Sequence, residues 1–312
     1  MIYPSHLQIE TVNGICDARC TMCVIFDDGR PKEIMSLDFF KKIAERFAPY
    51  VEHFKFVTLH GCGEPLLDKT ISEKVEHMKK LGFKGVGFSS NCQRLTQETS
   101  QKLLDAGMDT LIASIDGVTR EVHEAIRKRT NFDTIVANVE RHLRLRDTTG
   151  APGRVLVRFI RQQSNASEWL AYKSFWEARI DKSKGDAVIK FDVHNCGSRI
   201  LDYQQMAIDE GDNIEPCIDL WERIIVFASG AYAFCSADQS GYFDLGNALD
   251  KDPIDVFNNE TFTYHRNQML AGRWHDLEHC RTCTIPLSRQ NKDQVDDLPA
   301  SPTRRIDLKI VA

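Results

Sequence analysis

The sequence predicts an α/β fold, a partial (β/α)6 barrel of the TIM type followed by a small α+β domain. The first observation is a rhythm over about the first 195 residues, in which short β-branched runs alternate with longer amphipathic segments. Six such units are too few for a closed eight-fold barrel, so we expect an open one. The second observation is that this alternation stops near residue 200, where a different pattern of cysteines and glycines begins.

The predicted strands are short runs rich in β-branched and aromatic residues. They are LQIETV near the N-terminus, FKFVTLH (54–60), GVGFSS (85–90), TLIASI (110–115), RVLVRFI (154–160) and AVIKFDV (187–193). In barrels and open α/β sheets, ligands bind at the carboxyl ends of the strands. We therefore expect the functional residues to follow these runs directly.

The predicted helices lie between the strands and show apolar residues at helical spacing. They are SLDFFKKIAERF (36–47), TISEKVEHMKKLG (70–82), TQETSQKLLDAG (96–107), FDTIVANVERHLRL (132–145) and NASEWLAYKSFWEARI (165–180). The first opens with a serine N-cap, and the next two end in glycine, as C-caps do.

Past residue 200, RIIVFASGAYAFC (223–235) predicts a hairpin that turns at Ser229 and Gly230. Residues 252–272 predict a short helix followed by a longer one. We therefore divide the chain into a barrel at 1–200, a second domain at 201–288 and a polar tail at 289–312. The length of 312 residues fits about two domains of roughly 100–200 residues each.

The composition excludes several classes of protein. With a net charge of −5 and no dense basic stripe, the chain gives no support for a nucleic-acid scaffold. The N-terminus has neither the charged nor the apolar region of a signal peptide, and no apolar run approaches the about 20 residues of a membrane span. We expect a cytoplasmic protein without a membrane partner. In that compartment, ten cysteines favour metal or redox chemistry over disulfides.

The segment ICDARCTMC places Cys16, Cys20 and Cys23 in a C-x3-C-x2-C spacing directly after the first strand. Cysteine thiolates hold iron–sulfur clusters, and three of them can bind a [4Fe–4S] cube while one iron stays open. The alternative is a zinc site whose fourth ligand lies elsewhere in the chain.

The segment HGCGEPLL follows the second strand and contains Gly61, Gly63 and Glu64. Glycines allow a backbone to approach a ligand closely, and a carboxylate on such a turn can accept hydrogen bonds from an ammonium group. The alternative is a tight turn without a ligand.

Together these two motifs resemble the radical S-adenosylmethionine (SAM) enzymes, over about residues 7–195. The resemblance implies a [4Fe–4S] cluster on Cys16, Cys20 and Cys23, whose open iron binds the amino and carboxylate groups of SAM. It also implies that Gly61, Gly63 and Glu64 meet the SAM amino group, although Cys62 stands before the second glycine. Met22 is assigned to the SAM-binding residues with them.

Two later segments extend the resemblance. FSSNCQRL (88–95) is similar to the segment that approaches the SAM ribose, which implies contacts from Ser89, Ser90 and Asn91; Cys92 stands where glycine is usual. ASIDG (113–117) and the following AIRKRTNFDTIVANV resemble the segments after the fourth strand. They imply that Ser114 and Arg127 are candidates for binding the SAM carboxylate.

The later cysteines form a C-x12-G-x4-C pattern and a C-x2-C pair, made by Cys217, Cys235, Cys280 and Cys283. Paired cysteines also occur in zinc ribbons. Beside a radical SAM barrel, the pattern resembles the twitch domain, the short form of SPASM. That resemblance implies one auxiliary [4Fe–4S] cluster with no open iron, suited to electron transfer.

Cys62, Cys92 and Cys196 remain, and each is expected to be a small buried residue unless a site uses it. The segment FDVHNCGSR (191–199) ends the sixth strand, where a substrate contact is expected. His194, Cys196 and Arg199 are therefore the candidate catalytic residues, with Asn195 beside them. The alternative for the histidine is a strand cap or a satisfied core residue.

The resemblance implies that a 5′-deoxyadenosyl radical takes hydrogen from a C–H bond. The overall build is similar to alcohol-oxidising twitch enzymes of the 2-deoxy-scyllo-inosamine dehydrogenase type. This implies oxidation of a small polyol, sugar or aminocyclitol to a ketone, with the auxiliary cluster as electron acceptor and a flavodoxin or ferredoxin as reducing partner. Alternatives are a radical epimerase with a cysteine hydrogen donor, a peptide-modifying enzyme of RiPP maturation, and a zinc-binding module.

Overall fold

The computed structural model describes residues 1–25, 29–208 and 216–285. Its centre is one eight-stranded sheet, formed by β1 (His6–Ile9), β2 (Phe56–Thr58), β3 (Val86–Ser90), β4 (Thr110–Ser114), β5 (Arg154–Arg161), β6 (Ala187–Asp192), β7 (Arg223–Val226) and β8 (Tyr232–Ala233). The order across the sheet is β6-β5-β4-β3-β2-β1-β7-β8. The first six strands are parallel and follow one another across the sheet, which confirms the predicted partial barrel.

Helices connect the strands and cover the outside of the sheet. The described α-helices are α1 (Leu37–Phe47), α2 (Ile71–Lys80), α3 (Gln97–Asp105), α4 (Arg120–Ile126), α5 (Phe132–Thr149), α6 (Trp169–Glu177), α7 (Tyr203–Met206), α8 (Asp219–Glu222), α9 (Pro253–Phe257) and α10 (Glu260–Leu270). Short 3₁₀ turns occupy Ala48–His53, Pro65–Leu67, Ala166–Glu168, Lys182–Lys184 and Trp274–Asp276.

Side chains along each barrel strand point alternately to two faces, one packed in the apolar core and the other lining an inner cavity. On β5, Val155, Val157 and Phe159 are fully buried in the apolar core that the outer helices complete. Arg154 and Arg158, at the intervening positions, line the cavity inside the barrel. Because successive strand residues point to opposite faces, this alternation puts the polar residues of the barrel strands inside.

Some boundaries differ from the sequence prediction for local reasons. The first strand ends at Ile9, and Val12–Asn13 pairs instead with Glu33–Ile34 as a separate antiparallel ladder. Helix α5 runs four residues further than the predicted 145, to Thr149, and ends at Gly150, whose φ of 66° is the left-handed conformation of a helix C-cap. Helix α4 was not predicted; the Thr119 side chain caps it by accepting from Val122 N.

The C-terminal hairpin extends the barrel sheet. Strand β7 pairs in parallel with β1, so that Leu7 lies beside Ile224, and β8 returns antiparallel to β7 after the predicted turn at Gly230. Trp221 and Phe257 belong to the same apolar core as Leu7 and Phe40. The core thus runs across residue 200, and the division into domains there stays a prediction. The predicted tail at 289–312 lies outside the described residues.

The described part of the chain contains no helix that is long and apolar enough to cross a membrane.

Candidate functional site

A cavity of about 860 Å³ opens at the carboxyl ends of the barrel strands and continues into the barrel. The predicted cluster cysteines line it, together with every residue assigned to SAM from the sequence, namely Met22, Gly61, Gly63, Glu64, Ser89, Ser90, Asn91, Ser114 and Arg127. These residues come from separate loops and strand ends. The fold therefore brings the sequence-predicted SAM-binding residues together around one space.

The cysteine loop is fixed at both ends by backbone pairing. On one side Gly14 N donates to Cys62 O at 2.7 Å, and Glu64 N donates to Ile15 O at 3.0 Å. On the other side Cys20 lies opposite Arg127 in a two-residue ladder. Burial raises the pKa of the Cys16 thiol to about 12, so a bound metal would have to displace its proton.

The glycines of the second loop are required for packing against the first loop. A Cβ at Gly63 would lie 2.4 Å from Val12 O, and one at Gly61 would lie 2.5 Å from the Glu10 side chain. Neither neighbour can give way cheaply, since Val12 contributes backbone and the Glu10 carboxylate is held by Arg30 at 2.6 and 2.9 Å. The glycines therefore bring the two loops into close contact, which sets the position of Glu64.

Glu64 presents a carboxylate that burial leaves short of compensating positive charge. It accepts hydrogen bonds from Leu66 N at 3.0 Å, Ser90 Oγ at 2.7 Å and Asn91 N at 2.9 Å. Burial nevertheless raises its pKa to about 7, because these hydrogen bonds offset the desolvation only in part. A cationic group bound in the cavity would stabilise the ionised carboxylate, which suits the ammonium group expected from the sequence.

Arg127 lies beside the cysteine loop, and a carboxylate already compensates its charge. Its Nε is 2.7 Å from Asp116 Oδ2, in an ion pair whose two side chains are almost wholly buried. Its Nη1 is 3.7 Å from Cys20 Sγ. The arrangement favours a role in supporting the cysteine loop, while its predicted contact with the SAM carboxylate stays a prediction.

Arg158 is a cavity residue that the sequence analysis missed. Its Nη2 donates to Ser89 Oγ at 2.8 Å and to Ser114 Oγ at 2.7 Å, and these two hydroxyls are themselves 2.9 Å apart. Its Nε has no hydrogen-bond partner among the described residues. Burial, together with the nearby charge of Arg127, lowers the pKa of Arg158 to about 10. The signal in the sequence was an arginine between the apolar residues Val157 and Phe159 of β5.

The loop after β6 brings some of the candidate catalytic residues into the cavity. His194 and Cys196 line it, and the Cys196 Sγ is 3.5 Å from His194 Nδ1. Cys196 N donates to the same Nδ1 at 3.2 Å, so the neutral ring carries its hydrogen on Nε2. This tautomer makes His194 a donor towards other groups.

Asn195 and Arg199 lie apart from that wall. The lining formed by described residues does not include Arg199, and its catalytic role stays a prediction. Asn195 binds the C-x2-C loop instead: its Nδ2 donates to Thr282 O at 2.6 Å, and its Oδ1 accepts from Thr284 N at 3.1 Å. The loop after β6 is thereby tied to the segment that carries Cys280 and Cys283.

The four later cysteines line a second, smaller cavity. Its remaining wall is mainly apolar, with Leu220, Met269, Trp274 and Ile285 among the contributors. Cys235 and Ser236 line both this cavity and the main one. The two spaces are therefore neighbours that share a wall.

The thiol donors of the main cavity fit an iron–sulfur cluster, and the four later thiols gather at the second cavity. Each cavity gathers one of the predicted cysteine sets, three thiols in the first and four in the second. Over residues 1–25, 29–208 and 216–285, no group of three or more His, Cys, Asp or Glu side chains has the geometry to hold a single metal ion.

Comparison with known proteins assigns the first part of the chain to a family. Residues 11–150 match the radical SAM superfamily, a span that includes the cysteine loop, the Glu64 loop and the ends of β3 and β4. The chain carries a radical SAM domain. The match confirms the family that the sequence motifs indicated.

The matches between this chain and its curated relatives cover less than half of either protein. A tungsten-containing aldehyde ferredoxin oxidoreductase cofactor-modifying protein of Pyrococcus furiosus is 32% identical over 111 residues, 36% of this chain and 30% of that protein. A probable GTP 3′,8-cyclase of Methanothermobacter marburgensis is 31% identical over 132 residues, 42% of this chain and 41% of that protein. The chain thus spans less than half the length of these relatives.

Solved structures match over most of the chain. BtrN in complex with AdoMet and 2-DOIA is similar with a TM-score of 0.59 at 16% identity, covering 90% of this chain and 93% of BtrN. Streptococcus suis SuiB bound to precursor peptide SuiA gives 0.63 at 14% identity, covering 92% of this chain and 71% of SuiB. Native anSMEcpe with bound AdoMet gives 0.62 at 14% identity, with coverages of 90% and 89%. At these identities the similarity establishes the fold alone.

Proposed function

We propose that the protein is a radical SAM dehydrogenase that oxidises an alcohol of a small polyol, sugar or aminocyclitol to a ketone. The observation that carries this proposal is the wall at Cys235, through which the four-thiol cavity adjoins the main cavity. An electron acceptor held in the smaller cavity would lie close to a substrate in the larger one. The BtrN complex, similar over most of both chains, contains AdoMet and a small molecule and supports the choice.

The binding assignments follow from the donors in each cavity. Cys16, Cys20 and Cys23 would hold a [4Fe–4S] cluster with SAM on it, and the four later cysteines would hold an auxiliary [4Fe–4S] cluster. These groups supply a 5′-deoxyadenosyl radical for hydrogen abstraction and an acceptor for one electron. The Glu64 carboxylate would bind the ammonium group of SAM, and the Ser89, Ser90 and Asn91 segment would contact its ribose.

The other requirements of the reaction are met by residues of the chain. Oxidation of a secondary alcohol to a ketone removes a hydrogen atom from carbon, a proton from oxygen and one electron from the resulting radical. The barrel walls orient the substrate and limit the access of water to the radical. Because His194 Nδ1 already accepts from Cys196 N, we assign the hydroxyl proton to solvent and not to this ring.

Incubation with SAM, a reductant and a panel of alcohols tests the proposal. The anaerobically reconstituted protein should form 5′-deoxyadenosine and a ketone in equal amounts from a substrate of this class. Formation of 5′-deoxyadenosine together with an alcohol of inverted configuration would contradict the dehydrogenase proposal.

Epimerisation is the second candidate, favoured by the Cys196 thiol at the cavity wall 3.5 Å from His194 Nδ1. In that reaction the thiol would return a hydrogen atom to the opposite face of the substrate radical. Cys196→Ala separates the two: an epimerase variant would still form 5′-deoxyadenosine but no inverted product. A dehydrogenase variant would keep its ketone yield.

A further inference from the structure

The part of the main cavity that lies inside the barrel is here called the lumen. It is lined by strand residues that include Gln8, Thr58, Thr110, Arg154, Arg158 and Arg223, and by His60, which follows β2. Three of these residues are arginines, carried by β5 and β7. The two strands stand on opposite sides of β1 to β4 in the open sheet, so they approach the lumen from different sides. The lumen therefore gathers positive charge from separate elements.

The carboxylates that the described residues contribute to the same cavity are Glu10, Glu64, Asp192 and Asp238. Glu64 accepts from the neutral donors Leu66 N, Ser90 Oγ and Asn91 N and is kept for the ammonium group of SAM, whereas the other three carboxylates are held by groups outside the lumen. Glu10 is held by both terminal nitrogens of Arg30, at 2.6 and 2.9 Å. Asp192 accepts from Arg161 Nη2 at 2.8 Å. Asp238 accepts from two backbone N–H groups, those of Phe234 at 3.2 Å and Tyr242 at 2.7 Å. These carboxylates have partners outside the three lumen arginines.

The groups around the lumen arginines are mostly neutral. Arg158 donates to the hydroxyls of Ser89 and Ser114, and Arg154 Nε donates to Thr110 Oγ1 at 3.2 Å. Arg223 Nη1 donates to Gln8 Oε1 at 3.4 Å, and its Nε lies 3.5 Å from Asp219 Oδ1. Positive charge thus exceeds the negative charge that these contacts supply.

His60 lies within the field of both Arg158 and Arg223. Burial, and then the charges of these two arginines, lower its pKa to about 3, so its ring is neutral. Its Nδ1 accepts from Ser89 N at 3.3 Å, and the hydrogen of the neutral ring is therefore on Nε2. The lumen combines two guanidinium groups with one neutral N–H donor, a set that matches an anionic oxygen group.

We propose that the lumen binds an anionic group of the substrate, a carboxylate or a phosphate ester, with Arg158 and Arg223 as its charged partners and His60 as a further donor. The inference rests on the proposed function, in that the ligand is the molecule that is oxidised. It narrows the substrate class to sugar acids and sugar phosphates. An aminocyclitol would bring an ammonium group towards two arginines, where like charges repel.

The competing assignment is that Arg158 binds the carboxylate of SAM, because it donates to Ser114, a residue that the sequence assigned to that carboxylate. The two assignments differ in whether the arginines are needed to bind the substrate or to bind SAM. If they serve the substrate, their removal weakens the binding of anionic sugars to the SAM-loaded protein. If they serve SAM, their removal weakens SAM binding and leaves the discrimination between sugars unchanged.

The test is calorimetric titration of reconstituted full-length protein, first with SAM and then, in its presence, with glucose, glucose 6-phosphate, glucuronate and glucosamine. We expect at least one anionic sugar to bind on the order of tenfold more tightly than glucose, and glucosamine to bind no better than glucose. The ratio of glucose 6-phosphate to glucuronate tells whether phosphate or carboxylate is preferred. Inorganic phosphate should compete with the preferred anion.

Arg158→Gln and Arg223→Gln should each remove most of that preference, while Arg158→Lys and Arg223→Lys retain part of it because they keep the charge. The matched control is Arg144→Gln, which removes the same charge from a side chain 68% exposed on the outer surface. Thermal melts identify variants that fail to fold, and the lysine variants then carry the test.

Equal affinities for neutral and anionic sugars would overturn the inference, as would a preference that both glutamine variants retain. Loss of SAM binding alone in those variants would overturn it in favour of the SAM carboxylate. Failure of the proposed function is a separate result: the anionic sugar would bind with the expected preference, yet no 5′-deoxyadenosine or ketone would form.

Discussion

Replacing Glu64 by glutamine tests the proposed binding of the SAM ammonium group at this carboxylate. The carboxylate is buried, and its pKa of about 7 means that ionising it in the folded protein costs about 3 kcal/mol more than in an exposed side chain. An ammonium group bound against it would favour the ionised form. A charge-assisted hydrogen bond of this kind contributes about 1.5–3 kcal/mol. Glu64→Gln should therefore weaken SAM binding by roughly 10- to 100-fold.

The pH dependence gives the prediction a second readout. Below about pH 7 the Glu64 carboxyl is protonated, so binding an ammonium group there must first release that proton. SAM affinity of the wild-type protein should thus fall by up to about tenfold for each unit of pH below 7 and level off above it. In Glu64→Gln the affinity should be nearly constant over the same range. Titration calorimetry of the reconstituted protein at pH 6, 7 and 8 measures both effects.

The same pKa sets the sign of a stability effect. Because the folded pKa lies above the ordinary glutamate value of 4.5, the folded state holds this proton more tightly than the unfolded state. Without a ligand, the contribution of Glu64 to stability is therefore greatest below pH 4.5 and is lost as the pH rises through 7. Glu64→Gln should lack this particular loss.

Glu168 provides the matched control. Its carboxylate accepts from Val118 N at 2.8 Å and Thr119 Oγ1 at 2.6 Å, and it does not line the main cavity as the described residues form it. Glu168→Gln should leave SAM affinity and its pH profile unchanged. A wild-type affinity in Glu64→Gln, or an equal effect of both substitutions, would refute the reasoning.

Three further predictions follow from other contacts. The double variant Cys280→Ala, Cys283→Ala should lower the iron content from about eight to about four per chain, as measured by iron analysis. Chromatography should show that the variant still cleaves SAM reductively but no longer forms the ketone. An unchanged iron content would exclude the second cluster. Arg127→Met should lower the free energy of unfolding by about 3 kcal/mol or more, because Asp116 loses its buried partner. In denaturant titrations, adding Asp116→Asn should recover part of this loss. Additive losses from the two substitutions would contradict the pairing. Gly63→Ala should weaken SAM binding by displacing the Glu64 loop, because its Cβ would lie 2.4 Å from Val12 O. Gly150→Ala is the control: its Cβ would have no atom within 4 Å, but its φ of +66° is strained for alanine. This second variant should lose stability and keep its affinity for SAM.

Periodicity and strand-end motifs predicted the barrel and the gathering of the candidate SAM-binding residues around one cavity. The alternation of strand patterns with helix patterns is visible in a single sequence, and parallel strands bring their carboxyl ends to one edge of the sheet. Glu64 could be found because it follows a strand and stands among glycines. Its neighbours Ser90 and Asn91 could be found for the same reason.

Non-local pairing was beyond the sequence patterns. The hairpin at 223–235 was predicted, but its parallel pairing with β1 depends on a crossover of some two hundred residues that leaves no local signal. Arg158 was missed because the site residues were sought directly after the strands, whereas Arg158 lies within β5. The Asn195 contacts with Thr282 and Thr284 likewise join segments far apart in the chain.

The most direct test of the account is reductive cleavage of SAM by the three-cysteine loop. The anaerobically reconstituted protein is mixed with SAM and dithionite, and 5′-deoxyadenosine is quantified beside a Cys16→Ala, Cys20→Ala, Cys23→Ala variant. We predict 5′-deoxyadenosine from the wild-type protein and none from the variant, which should retain the about four irons of the second site. Equal yields from both proteins, or no cleavage by a wild-type protein that carries its full iron, would contradict the central claim.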